Sequence, residues 1–385
     1  MPVIVILLVI LTFVYWYWHL KLLFKGKHSR LFALLIIAFF LVSLIPRANV
    51  LFFWLSSIQI IWFTLYLQIS LVSDVGLAVY LRIKKIKLNV PNSRHFYRVI
   101  FLLSCMVTVL FFSLGAWNNY YYRFHTVEIP IAGLHEKIRG VYFSDIHLAA
   151  GFPKSKMQRL VSDIDSIAPD VVFFGGDLAD ASNSYLDQNG FDDLFRKIKA
   201  PLGFYGVIGN HEGYLLRSGS DFVAWMNKNG MVTLLDSTVC NRLFCVSGRL
   251  DHQYASHLDL ARKPLDYLSV DVLKQKRKKM PWIVLDHQPK GFEGEKPKIT
   301  PDLVISGHTH AGQFFPGNII IDWIWDLSAG LGYLDGALWF VSSGVHSWGP
   351  PVRILTNSEL VIFDFVPKKE QTALLNTIIS IQDLK

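Results

Sequence analysis

The stretch "PDLVISGHTH", residues 301–310, runs from a short apolar segment through Gly307 into two histidines one residue apart. Along a strand, neighbouring side chains point to opposite faces, but past the strand end that rule lapses and His308 and His310 can converge. Converging imidazoles point to a bound metal. A Gly-His-x-His tetrapeptide also suits a solvated loop, so the rest of the chain has to decide.

Four other apolar runs stop in a similar way. "IRGVYFS" is followed by Asp145-Ile146-His147, "PDVVFFGG" by Asp177, "FYGVIG" by Asn210-His211-Glu212, and "PWIVLD" by His287. Singly, each has a plain role: Asp145 and Asp177 can cap helices, Asn210 can sit in a turn, His287 can be a satisfied core histidine. Five runs that all end in metal-capable side chains are better read as one constellation, because the carboxyl ends of strands in α/β sheets form the ligand crevice. Amphipathic stretches such as "PKSKMQRLVSDIDSIA" (153–168) lie between the runs, and from about Val127 onward this alternation is that of an α/β domain.

The candidate ligands are two aspartates, one asparagine and four histidines, with no cysteine among them. Oxygen and imidazole donors suit manganese, iron or zinc better than calcium, and the lack of thiolates argues against a closed structural zinc site. Seven ligands are too many for one catalytic ion. They suffice for two if one carboxylate bridges, and ions about 3.5 to 4 Å apart clamp both the attacking and the leaving oxygen of a phosphoryl displacement. Gly176, Gly209 and Gly307 either clear bulk beside the ions or are simple turn glycines.

The ordered series Asp-x-His, Gly-Asp-x-x-Asp, Gly-Asn-His-Glu, His and Gly-His-x-His resembles the calcineurin-like metallophosphoesterase superfamily. It stands here as "SDIHLA" (144–149), "GGDLAD" (175–180), "GNHEGY" (209–214), "LDHQP" (285–289) and "GHTHAGQ" (307–313). The tail "FVSSGVHSWGPPVRILTNSELVIFDF" (340–365) is similar to the ending of that family's membrane-associated bacterial branch. The resemblance covers about residues 126–365 and implies a β-sandwich flanked by helices. It implies one metal held by Asp145, His147, Asp177 and His310, and a second held by Asp177, Asn210, His287 and His308, with Asp177 bridging. Two divalent ions are expected, manganese first, with iron or zinc as alternatives. His211 would sit by the substrate phosphate and help the leaving group, with Glu212 tuning or orienting it. The chain departs from the pattern at Ala311, where many relatives have a second glycine. The activity implied is metal-dependent hydrolysis of a phosphomonoester, phosphodiester or pyrophosphate bond.

The first third has a different composition. Across 385 residues hydrophobic types make up 52% and the mean hydropathy is +0.33, an excess concentrated before residue 126. Residues 1–125 hold 12 Lys and Arg but a single acid, Asp74, which leaves 26 bases against 29 acids for the remainder. The sequence pI of 9.2 therefore describes the N-terminal part, and the later part shows no basic stripe suited to nucleic acid. Segments 3–20, 31–45, 51–80 and 96–117 read as membrane helices, given the roughly 20 apolar residues a span needs. The second is short and closed by Pro46, so a buried core helix is its alternative. The loops at 21–30 and 81–98 carry four and six Lys and Arg, against Arg47 alone near Pro46. Positive loops stay in the cytoplasm, which puts the N-terminus and everything after Trp117 on the outer side. Cys240 and Cys245 flank "NRLF" in an expected hairpin; two free thiols are the expected state, with a cross-hairpin disulfide as the alternative outside the cytoplasm. The basic run "KQKRKK" (274–279) reads as a solvated helix face.

The expected architecture is a multi-pass transmembrane domain over residues 1–125 and a metallophosphoesterase domain over 126–385, in the plasma or inner membrane. The anchor makes the bilayer a partner and a lipid-linked phosphate the expected substrate. One family branch to which the chain is similar cleaves the pyrophosphate of UDP-2,3-diacylglucosamine in lipid A synthesis. That substrate is made on the cytoplasmic face, against the charge count. An inactive membrane sensor or scaffold is a further alternative, opposed by the intact set of seven ligands.

Overall fold

Val171–Phe174 is a run of β-branched and aromatic residues, the composition of a strand buried on both faces. In the computed structural model it forms β3, with all four side chains out of contact with water. Val171 and Phe173 enter one apolar core, Val172 and Phe174 another. The alternation recurs in β8 (Trp282–Leu285), where Ile283 and Leu285 join the core of Phe173 while Trp282 and Val284 enter a third. Two sheets thus share one core and bury their outer faces under helices, a sandwich with helical covers. Each such Phe or Leu contributes about 1.5–3 kcal/mol by leaving water.

The first sheet has the order β1 (Arg123–Ile131), β12 (Glu359–Pro367), β2 (Ile138–Phe143), β3, β4 (Phe204–Gly206), β5 (Val232–Thr233). The second has the order β10 (Gly330–Leu334), β11 (Ala337–Val341), β9 (Leu303–Ser306), β8, β7 (Cys245–Gly248), β6 (Ser237–Cys240). Strands β2 to β5 are parallel, as are β7, β8, β9 and β11, so within each sheet the carboxyl ends open along one edge.

The structure describes residues 2–23, 50–86, 90–275 and 279–368, with a few positions between 30 and 38. Its helices are α1 (Pro2–Leu23), α2 (Val50–Lys84), α3 (Val90–Tyr120), α4 (Lys154–Ile167), α5 (Asn183–Gln188), α6 (Phe191–Phe195), α7 (Asn210–Leu215), α8 (Phe222–Lys228), α9 (His252–His257), α10 (Leu265–Leu273) and α11 (Gly317–Ile324). Met157, Leu160, Val161 and Ile164 of α4 recur at helical spacing and face the first sheet; Leu265, Leu268 and Val272 of α10 cover the second. The middle of the run at 274–279 lies outside the described residues.

The chain divides into two units, Met1–Trp117 with Gly349–Val352, and Asn118–Trp348 with Arg353–Lys385. The boundary falls before the expected one at 125, because the last turn of α3 already belongs to the second unit. Asn118 Nδ2 donates to Arg353 O at 3.2 Å, and β1 starts at Arg123 in a stretch without apolar alternation. In the first unit, Trp16, Phe63, Tyr66 and Tyr97 from α1, α2 and α3 form an aromatic core. Trp54 and Trp62 meet Phe112 and Phe101 at 6.0 and 5.5 Å, which makes α2 and α3 antiparallel. Arg98 Nε donates to Leu23 O at 3.3 Å, so the end of α1 lies beside the early part of α3 and α1 runs in the direction of α2. Asp74 accepts from Tyr15 Oη at 2.9 Å and pairs with His19 Nε2 at 2.7 Å. Among the described residues, α2 and Arg94–Tyr120 of α3 are long and apolar enough to cross a membrane. These two match the third and fourth expected spans; the first expected segment forms α1, and the second, 31–45, lies largely outside the described residues.

The hairpin of β6 and β7 forms as expected, but Cys240 and Cys245 are joined in a disulfide, against the expectation of free thiols. They stand opposite each other in register, which brings their Cβ atoms within bridging distance.

Candidate metal centre

All seven candidate ligands lie just past the carboxyl ends of β2, β3, β4, β8 and β9 and come together. Asp145, His147 and His310 present one donor atom each within 4.8 Å of one another, as do Asp177, His287 and His308, and also His147, Asp177 and His211. The Nε2 atoms of His147 and His310 are 3.2 Å apart, and His310 Nε2 is 3.6 Å from Asp145 Oδ1. On the other side His287 Nε2 lies 3.0 Å from Asn210 Oδ1, 3.2 Å from Asp177 Oδ2 and 3.3 Å from His308 Nδ1. Asp177 Oδ2 is also 3.8 Å from His147 Nε2, so this one oxygen faces both groups. Its partner Oδ1 is occupied by the His211 backbone N–H at 2.9 Å.

The backbone is bent to achieve this. Asp145, His147, Asp177, His308 and His310 all have positive φ, between 52° and 71°. Left-handed backbone in non-glycine residues costs of order 1–3 kcal/mol each and persists where surrounding structure enforces it. Part of the enforcement is close approach. A Cβ on Gly209 would strike the Asp177 carboxylate, and one on Gly307 the Asp145 carboxylate, so neither position admits a side chain.

The donor set fits divalent metal ions. Three histidines have their outer nitrogen held: His147 Nδ1 by Asp180 Oδ1 at 3.0 Å, His287 Nδ1 by Gly175 O at 2.8 Å, and His310 Nδ1 by His346 O at 3.1 Å. Each therefore presents Nε2 to the cluster, the arrangement that orients metal-binding imidazoles. Burial and the neighbouring His287 push His308 down to about 3, and burial with His147 holds His310 well below the usual range, so both are neutral and able to ligate. Burial alone would raise the Asp177 carboxyl, but His287 and His211 outweigh it and keep Asp177 ionised.

His211 differs from the other histidines. Its side chain is 15% exposed where that of His287 is fully buried, and its ring stands edge-on to Tyr214 and Trp348, both exposed. Its Nδ1 donates to Asp180 Oδ1 at 2.5 Å. Burial would lower its pKa, but Asp177 and Asp180 raise it to about 9. Asp180, the second aspartate of "GGDLAD", is the carboxylate that orients both His147 and His211. Glu212, expected to tune or orient His211, turns inward, and its charge is one of those that raise His211. It is fully buried and accepts from the backbone N–H groups of Asp177, Leu178, Ala179 and Gly209 at 2.6–3.2 Å. At the third position of α7 it reaches back over the helix start, half of a capping box. Arg353 is a further residue that sequence reasoning passed over. Its guanidinium is buried and donates to His310 O at 3.0 Å and His346 O at 2.6 Å, fixing the loop that carries His310. The signal for it was its place in the 340–365 tail.

Comparison with known proteins agrees with this geometry. A model of the calcineurin-like phosphoesterase family matches residues 139–312, which contain every candidate ligand. A metallophosphoesterase of Campylobacter jejuni, itself uncharacterised, is 30% identical over 284 residues, 71% of this chain and 71% of that one. One from Aquifex aeolicus is 31% identical over 257 residues, 65% of this chain and 95% of its own. A transmembrane protein with a metallophosphoesterase domain from Danio rerio is 32% identical over 252 residues, 61% and 55% of the two chains. With its ligand-type side chains gathered at the matched strand ends, the chain belongs to the calcineurin-like phosphoesterase family and is a metal-dependent phosphoesterase.

Proposed function

We propose that this chain is a membrane-anchored dimetal hydrolase of a phosphoester or pyrophosphate bond in a lipid-linked substrate. The observation that carries the reading is the position of Asp177 Oδ2, which faces His287 on one side and His147 on the other. Asp145, His147 and His310 would hold one ion, Asn210, His287 and His308 the other, and Asp177 both. Two divalent ions bound there, manganese in our reading, would supply activation of water and neutralisation of charge on the phosphoryl oxygens.

The residues of the chain do the rest. Asp180 fixes the His211 ring through Nδ1 and leaves Nε2 free to give a proton to the departing oxygen. Partial exposure of His211 beside Tyr214 and Trp348 supports its place at the mouth of the site. Glu212 and Arg353 hold the loops that carry Asp177 and His310 rigid, so little reorganisation is needed during reaction.

The membrane reading is supported by the two apolar helices and by relatives named as transmembrane proteins. Two observations favour an outer-face catalytic unit. Basic residues cluster after α1 and between α2 and α3. The Cys240–Cys245 disulfide suits an oxidising compartment. The same observations weigh against a lipid A pyrophosphatase, whose substrate is made on the cytoplasmic face.

The test is turnover of bis(p-nitrophenyl) phosphate in manganese by the purified full-length chain. Turnover well above an Asp177→Asn control supports the hydrolase. Turnover equal to that control would leave the chain a membrane sensor or scaffold.

A further inference from the structure

The segment "FFPGNIIIDWIW", residues 314–325, leaves the loop of His308 and His310 and forms α11, a helix with no buried residue. Phe315, Ile319, Ile320, Trp323 and Ile324 are all exposed, Trp323 to 81%. The segment has no Lys or Arg, and its one acid, Asp322, is turned to the Ser328 hydroxyl. Bare apolar surface of this density on a water-soluble face invites aggregation, whereas Trp, Phe and Ile on a short helix are the composition that settles into the headgroup and acyl boundary of a membrane.

The helix is tied to the site. Thr309 Oγ1 donates to Ser328 O at 2.6 Å, so the residue between His308 and His310 is bonded to the segment that follows α11. Trp325, next after the helix, lies edge-on to the His308 ring at 5.4 Å. Gly312 and Gly317 touch so closely that neither could carry a Cβ, which fixes the helix start against the ligand loop. Gln313 exchanges two hydrogen bonds with the Trp348 backbone, at 2.9 and 3.0 Å.

We propose that α11 is an interfacial membrane anchor: it inserts its apolar side chains into the bilayer that the chain's own helices cross, and so presents the His308 side of the metal site to lipid phosphates at headgroup depth. This rests on the membrane reading above and adds a second, monotopic contact to it. The occupant is the bilayer and not a second copy of the chain, because the chain carries helices apolar enough to cross a membrane and the exposed Trp, Phe and Ile of α11 are the side chains that settle at its boundary.

The experiment uses the full-length chain in phosphatidylcholine vesicles, with Cys105→Ser and either Ile320→Cys or, on exposed α5, Ser184→Cys, labelled with an environment-sensitive nitrobenzoxadiazole dye. Lipids with a shallow doxyl group should quench the label at 320 about twofold or more beyond that at 184, with blue-shifted emission. Equal quenching at both positions, in chains that stay in the vesicles through carbonate extraction, overturns the interfacial anchor and leaves the membrane reading intact. Blue-shifted emission without quenching means protein covers the helix and also overturns it. Loss of the chain on extraction overturns the membrane reading itself. Trp323→Ser together with Ile320→Ser should lower the ratio of vesicle phosphodiester to soluble ester hydrolysis about fivefold; an unchanged ratio would rule out delivery by this helix.

Discussion

Asp180 binds His211 through a 2.5 Å hydrogen bond from the ring Nδ1, and the same carboxylate oxygen accepts from His147 at 3.0 Å. One side chain thereby sets both a candidate metal ligand and the candidate proton donor. Asp180→Asn keeps an acceptor but loses the charge. We expect kcat to fall about 10- to 100-fold even at saturating manganese, with a smaller change in KM. Full recovery in excess metal would mean that Asp180 acts only through His147.

His211→Ala should retain both ions and lose about 100-fold or more in kcat, the ordinary contribution of a positioned acid. Metal analysis beside the kinetics is the discriminating readout. His211 is close enough to His147 and Asp177 to join a ligand set, and a lost ion would place it there.

Glu212 answers four backbone N–H groups from a fully buried position. Glu212→Ala leaves those donors unsatisfied and should destabilise the second unit by about 3 kcal/mol or more, read as a shift in denaturant midpoint. Glu212→Gln restores an acceptor and should lose less. An unchanged midpoint for Glu212→Ala would contradict the bracing role.

Ala311 stands at φ 50°, left-handed backbone that favours glycine. Ala311→Gly removes the Cβ penalty of left-handed backbone and should raise stability by up to about 1 kcal/mol without altering metal content. A loss of stability would show that the alanine methyl packs usefully in the loop.

Cys240 and Cys245 offer a test of sidedness. A membrane-impermeant maleimide should label them in intact cells after reduction, and hardly before. Protection until lysis would put the catalytic unit in the cytoplasm and restore the lipid A pyrophosphatase reading.

The strand ends were readable because each apolar run stops at a polar side chain, and the motif order then named the family. Asp180, Glu212 and Arg353 were not readable in the same way. Their partners lie 31 or more positions away for most bonds, on loops whose meeting depends on sheet order rather than on local pattern. Periodicity also could not tell that α3 carries its last turn into the second unit, since "NNYYYRFH" (118–125) has neither a strand's nor a helix's spacing. The disulfide turned on register, which the hairpin composition alone leaves open.

The central claim is that Asp177 serves two ions, and the metal content of purified Asp177→Ala, set beside that of wild type and of Asn210→Ala, tests it most directly. The account predicts two ions per chain in wild type, loss of more than one in Asp177→Ala with activity abolished, and loss of no more than one in Asn210→Ala. Loss of a single ion in Asp177→Ala would contradict the bridging role.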